Sequence, residues 1–224
     1  MAIEQGQYTH LFDLAKTPIE LWDERAKIPG LKSVMSLGKS EATLEVETQV
    51  TKNRLFTELG DVHTKAVLEI GTGIGRFTDE LIQNTAFIAS VDISRNMLKR
   101  SKQNSNKSHL LQAAGQNLPL QDAIFDTVFE ATVLIHILDD EVFRQFIAES
   151  MRVLKPGGQI LFCDPMAQEQ SIQKHPYLKH RTISDYQNAA GIPLENRGSL
   201  DLSTNSLTFL VGTKPSLTKS TTVK

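Results

Sequence analysis

The sequence predicts an α/β fold with a doubly wound, mostly parallel sheet, and three observations carry that expectation. From residue 65 onward, short apolar runs suited to strands buried on both faces alternate with helical stretches. The first run ends in a glycine-rich turn, "EIGTGIGRF", which leads into a helical pattern. The second ends in Asp92, so a carboxylate stands at the carboxyl edge of the neighbouring strand.

The elements follow in order. Residues 1–60 read as helical and amphipathic. "THLFDLA" and "IELWDERA" are short helices, the second with Pro18 near its start. "SEATLEVETQVTKNRLFTEL" is longer, with Ser40 as N-cap and apolar positions at Leu44, Val46, Val50 and Leu55. "KAVLEI", "AFIASVD", "HLLQAA", "FDTVFEATV" and "GQILFCDP" predict strands, and "RFTDELIQN", "NMLKRSKQN" and "DEVFRQFIAESMRVL" the helices between them. Asp139, Asp140 and Glu141 mark the last helix start, where acidic residues favour the macrodipole. "TISDYQNAAG" predicts a further helix and "SLTFLVGTK" a late strand after a polar loop. The expected organisation is a helical lid over 1–60, a ligand-binding domain over 61–214 and a loose tail over 215–224.

Composition narrows the function classes. The chain has 224 residues, is 40% hydrophobic and 22% charged, and carries a formal net charge of −2. No basic patch points to nucleic acid, and no apolar run reaches the roughly 20 residues of a membrane span. "MAIEQGQYTH" lacks the basic and apolar regions of a signal peptide, so a cytoplasmic protein is expected. Cys163, the single cysteine, lies in an apolar run and reads as core. The histidines show no metal-ligand spacing, so no metal is expected.

The glycine turn carries the chemistry. Glycines at 71, 73 and 75 let backbone approach a ligand closely, and the following helix start presents N–H groups. Asp92 can accept both hydroxyls of a ribose. The G-x-G-x-G spacing departs from the G-x-G-x-x-G of dinucleotide sites, which argues against a nicotinamide-dependent oxidoreductase. Glu69 before the turn and Arg76 after it match the ammonium and carboxylate of an amino acid. A nucleoside joined to an amino acid is S-adenosyl-L-methionine.

The motif order "LEIGTGIG", "VDIS", "LPLQDAIFDTVFEATVLIHI", "LKPGGQILFCD" over residues 65–164 resembles the class I S-adenosylmethionine-dependent methyltransferases. That resemblance implies a seven-stranded Rossmann-like sheet whose last strand, "SLTFLVG", runs antiparallel. "GIGRFT", "VDIS", "HIL" and "DPMAQE", with Trp22 at the end of an entry helix, look like the protein α-N-terminal methyltransferases. This closer resemblance implies that Gly71, Arg76, Asp92, Ile93, Gln116 and Asn117 line the cofactor site, with Glu69, Gly73 and Ala131 counted among them. It places Trp22, His136 and Asp164 around the methyl acceptor. The chain departs from that family at Pro165, where the family carries Asn. It departs again at Lys174, His175 and Lys179, which stand where carboxylates for a cationic peptide are expected.

A methyltransferase acting on nitrogen or oxygen is therefore expected, its acceptor a small molecule, with a protein or peptide N-terminus as the alternative. His136 is the candidate general base and Asp164 the candidate acceptor-orienting group. A non-catalytic protein that binds the same cofactor is the competing reading from another class.

Overall fold

A computed structural model describes residues 17–104 and 109–216. The helix expected at "THLFDLA" and all but the first two residues of the expected tail lie outside the described residues. The strands are β1 (Ala66–Ile70), β2 (Phe87–Asp92), β3 (His109–Gln112), β4 (Phe125–Ala131), β5 (Leu154–Asp164), β6 (Ile172–His175), β7 (Leu178–His180), β8 (Glu195–Asp201) and β9 (Ser206–Thr213). The α-helices are α1 (Pro18–Arg25), α2 (Glu41–Leu59), α3 (Thr78–Asn84), α4 (Arg95–Asn104), α5 (Asp140–Val153) and α6 (Ile183–Ala190). None is long and apolar enough to cross a membrane.

The main sheet has seven strands in the order β3-β2-β1-β4-β5-β9-β8. β1 through β5 pair in parallel, and β9 is antiparallel to both β5 and β8. The expected antiparallel last strand is thus present, but it lies inside the sheet. The edge strand β8 occupies the stretch read as a polar loop. β8 is almost wholly exposed, so no apolar alternation marks it, and backbone pairing to β9 makes it a strand.

Strand alternation divides the core into two layers. Leu68, Ile70, Val91, Val128, Ile160, Phe162 and Leu210 pack on α5 and α6 through Phe143, Phe146, Ile147, Tyr186 and Ala190. Val67, Ile88, Phe129, Ala131, Leu161, Cys163 and Phe209 face α2 and α3 through Leu55, Leu59 and Leu81. Cys163 is therefore core, and burial pushes its thiol well above the ordinary range.

Ser40 caps α2 by accepting from Thr43 N–H. Of the apolar positions expected to be buried on this helix, Leu44 and Leu55 are, whereas Val46 and Val50 face out at 64% and 39% exposure. The buried stripe runs Leu44, Glu47, Thr51, Leu55, Leu59, which is the helical spacing, so the two valines fall on the other side. Buried Glu47 pairs with Lys39 at 2.8 Å and accepts from Ser203 Oγ at 2.7 Å. Since Leu55 and Leu59 belong to the sheet's core, α2 is a layer of the domain rather than a cover over its edge.

α1 does stand over the carboxyl edge. Thr17 and Glu20 form a capping box ahead of Pro18. Asp23 accepts from Ser94 Oγ at 2.5 Å and from Asn96 N–H at 3.2 Å, which ties α1 to the start of α4. Arg100 returns the tie by donating to the carbonyls of Ala26, Ile28 and Gly30 past the end of α1. A small cluster of Ala26, Ile74 and Met97, with Trp22, Leu31 and Val34 against it, seals helix to glycine loop.

Candidate active site

β1 is flanked by β2 on one side and β4 on the other, so the crossover direction reverses there and a crevice opens at the carboxyl ends. A cavity of about 590 Å³ occupies it, roofed by α1 and by the β6–β7 hairpin.

The glycine turn forms one wall. Gly71, Gly73 and Gly75 have φ of 81°, 56° and 84°, the left-handed region that side chains disfavour. Gly71 and Thr72 N–H both donate to Val91 O, at 2.7 and 3.0 Å, folding the turn back onto β2. A Cβ at Gly71 would lie 2.1 Å from Val133 Cγ2. Gly71→Ala thus combines a strained φ, costing roughly 1–2 kcal/mol, with a contact that drives Val133 toward the cavity. Calorimetry with S-adenosylhomocysteine is expected to show at least a tenfold affinity loss, partly restored in the Gly71→Ala/Val133→Ala pair; unaltered affinity of the single variant would remove the turn from the binding surface.

Asp92 is buried and lines the cavity. Its Oδ2 accepts from Gly73 N–H and its Oδ1 from Ser94 N–H, both at 2.8 Å. Burial pushes its carboxyl up to about 6, against the pull of these N–H groups. Glu69 is also buried, and its Oε2 accepts from Thr78 Oγ1 at 2.6 Å and Ser90 Oγ at 3.0 Å. Burial raises its carboxyl as well. Glu69 therefore braces the turn and faces the cavity at once. Arg76 lines the cavity with its guanidinium 4.7 Å from the Phe77 ring centre, and it makes no ion pair among the described residues. Burial lowers it to about 10.

Ile93, Gln116 and Ala131 also line the cavity. Asn117 does not: a turn in which its N–H donates to Ala114 O places Gln116 on the cavity and carries Asn117 past it.

At the far end stand Trp22 and His136, with ring centres 4.9 Å apart and planes at 85°. His136 belongs to a 3-10 turn, Leu134–His136, directly after β4. Its Nδ1 lies 3.2 Å from Tyr177 O; the ring therefore donates from Nδ1 and keeps the Nε2 lone pair. Burial, and then the nearby Arg25 charge, push its pKa down to about 4 against that hydrogen bond.

Asp164 is not at the cavity. It lies on the same strand face as Phe162, which points to α6, and its Oδ2 accepts from Tyr186 Oη at 2.8 Å. Its pKa is pushed up to about 6 by burial, and neighbouring Glu130 is raised well above the ordinary range by burial and the Asp164 charge. Glu130 in turn accepts from Val133 N–H and Cys163 N–H, fixing the turn that leads to His136. The pair is a buried girder behind the site.

Several lining residues carried no sequence signal. Thr132 has a φ of 62° immediately after β4, an outlier beside the cavity that residue identity does not announce. Pro176 and Tyr177 form the β6–β7 turn, whose strands are too short and exposed to read; His175, the last residue of β6, stands out in the sequence only as a departure from the resembled family. Lys179, in the same hairpin, pairs with Asp140 at 2.6 Å, while Lys174 is exposed.

The fold is the Rossmann-like, mostly parallel seven-stranded fold found in methyltransferases. Residues 68–162 match the family model described as a methyltransferase domain. A phosphoethanolamine N-methyltransferase of Triticum aestivum is 28% identical over 148 residues, 63% of this chain and 28% of that protein. The chain thus spans little more than a quarter of that relative's length. Phosphoethanolamine N-methyltransferase 1 of Haemonchus contortus, solved with phosphoethanolamine and S-adenosylhomocysteine, superposes with a TM-score of 0.68 at 18% identity, covering 88% of this chain and 48% of that one. A SAM-dependent methyltransferase of Leishmania major gives a TM-score of 0.68 at 19% identity over 85% of this chain and 80% of that one.

Proposed function

We propose that the chain transfers a methyl group from S-adenosylmethionine to a nitrogen or oxygen nucleophile of a small molecule. The observation that carries this reading is the meeting of the glycine turn, Asp92, Arg76 and His136 on one cavity at the sheet's switch point.

The residues fit the cofactor. Asp92 would accept from the ribose hydroxyls while still holding Gly73 and Ser94. Arg76 would meet the amino-acid carboxylate, since it feels the Glu69 charge but makes no close ion pair among the described residues. Glu69 would face the ammonium, and Ile93 and Gln116 would flank the base. When bound, the sulfonium supplies an activated methyl for in-line displacement. The protein's task is then alignment and exclusion of water, which α1 and the hairpin roof serve. His136 offers Nε2 to the acceptor's proton.

A peptide N-terminus is the weaker acceptor. The resemblance behind it places Asp164 beside the substrate, and Asp164 is engaged with Tyr186 instead.

The test is single-turnover transfer from S-adenosylmethionine, with acceptors screened first. His136→Asn is expected to slow transfer at least tenfold, within the 10²–10⁴ range typical of a lost general base, while S-adenosylhomocysteine affinity stays within twofold. A parent rate from pH 6 to 9 in that variant would make His136 a packing residue.

A further inference from the structure

We propose that the acceptor presents an aromatic or enolic hydroxyl and is methylated at oxygen, not at an amine. This rests on the methyl-transfer reading above and concerns the chemistry of the same cavity beyond the cofactor.

The shape comes from rings. Trp22 meets His136 edge-on at 4.9 Å, and His175 stacks on Tyr177 at 5.6 Å with planes 14° apart. With Leu21 and Pro176 they line that end of the cavity, which suits a flat apolar body.

The charge comes from Arg25. Its guanidinium lies 5.6 Å from the Trp22 ring centre and donates to the carbonyls of Ser33, Lys32 and Met35 at 3.1, 2.8 and 2.6 Å. No described carboxylate pairs with it. The carboxylates lining the cavity are Glu69 and Asp92 at the glycine turn and Asp139. Asp139 is exposed, and its Oδ1 is engaged by the N–H groups of Glu141 and Val142 at the start of α5. An ammonium among the rings would therefore lie near the Arg25 charge behind Trp22, and the one carboxylate lining that end, Asp139, is exposed and partly engaged at the helix start.

The proton balance agrees. His136 has its Nδ1–H committed to Tyr177 O, leaves Nε2 as acceptor, and has a pKa near 4. So weak a base cannot strip an alkylammonium of pKa roughly 10 before attack. A hydroxyl needs no such preparation. As its oxygen forms the new O–CH₃ bond, the S–CH₃ bond breaks and sulfur keeps that electron pair as a neutral thioether. Alkylation makes the O–H strongly acidic, so even this imidazole takes the proton at Nε2 and later passes it to water. Arg25, whose charge disfavours the imidazolium, speeds the proton's departure from the ring.

The probes are 2-naphthol and 2-naphthylmethylamine, which share a ring system and differ in nucleophile. With the full chain saturated by S-adenosylhomocysteine at pH 7, 2-naphthol is expected to bind at least tenfold tighter than the amine. With S-adenosylmethionine, mass spectrometry should find the methyl ether and no N-methyl product. Equal or tighter binding of the amine, an N-methyl product, or binding of neither probe overturns the inference and leaves the methyl-transfer reading standing. Failure of S-adenosylhomocysteine itself to bind overturns both. His175→Glu, in an exposed hairpin turn, puts a carboxylate among the rings and should move the hydroxyl-to-amine affinity ratio at least tenfold toward the amine. An unmoved ratio refutes the charge argument.

Discussion

Asp92→Ala is expected to weaken S-adenosylhomocysteine binding by roughly 100-fold or more, about 2.7 kcal/mol. Two losses combine. Charge-assisted bonds to ribose hydroxyls contribute about 1.5–3 kcal/mol, and the same carboxylate anchors Gly73 and Ser94, so its removal also loosens the turn. Asp92→Asn keeps the shape but turns an NH₂ group toward one of those N–H donors, and should lose nearly as much. Unchanged affinity in either variant would refute the ribose placement.

The pH dependence follows in sign. The folded carboxyl, at about 6, lies above its ordinary value of 3.8, so the ligand-free fold holds this proton more tightly than the unfolded chain does. This group accordingly favours folding as pH drops through 6 and opposes it above. Cofactor binding requires the carboxylate and runs the other way, with affinity level above pH 7 and about tenfold weaker at pH 5. Glu69 and the charge of Asp23 face the same region, and Glu69 is raised too. The part of the decline that vanishes in Asp92→Asn belongs to Asp92.

The second large effect is on stability. Arg181 is 2% exposed and sits directly after β7. It pairs with Asp140 at 2.9 Å, lies 4.1 Å from the Phe143 ring centre and donates to the carbonyls of Leu134, Leu138 and Asp139. It therefore binds the roofing hairpin to the turn bearing His136 and to the start of α5. Arg181→Met keeps the apolar stem but strands those carbonyls, at about 2–4 kcal/mol. For a chain of this size the melting temperature should fall by roughly 5–12 °C. Arg181→Lys restores a charge without the fork and should recover only part. A melting temperature within 1 °C of the parent would mean that the hairpin is held by its own strands.

How much was legible in the sequence depended on whether a residue's identity stated its task. Glycine at 71, 73 and 75 announces a backbone that other residues disfavour, and Asp92 ends an apolar run where a crevice must open, so this wall of the cavity could be read. His136 was reachable because it follows a strand at the same edge. Asp164 has that credential too, yet its side chain faces α6, and only the register against Phe162 and Tyr186 settles it. Val46 and Val50 look apolar enough for a core, whereas the buried helix face includes Glu47, made tolerable by Lys39 and Ser203 brought from elsewhere. β6, β7 and β8 are strands by pairing, with little apolar pattern of their own. The hairpin that roofs the Trp22 and His136 end of the cavity was therefore hidden, along with Pro176 and Tyr177.

The position of β9 bears on how the chain comes off the ribosome. Although it is the last strand of the described chain, it sits between β5 and β8, and it pairs with β5 from Gln159↔Thr213 to Asp164↔Thr208. Until residues 206–213 have emerged, β5 is an open edge, with Ile160, Leu161 and Phe162 beside unpaired backbone groups. A nascent chain stalled short of that point presents an apolar template for other strands and is an early client for chaperones. Emergence of residues 206–213, rather than formation of the glycine turn, is the event that closes the sheet.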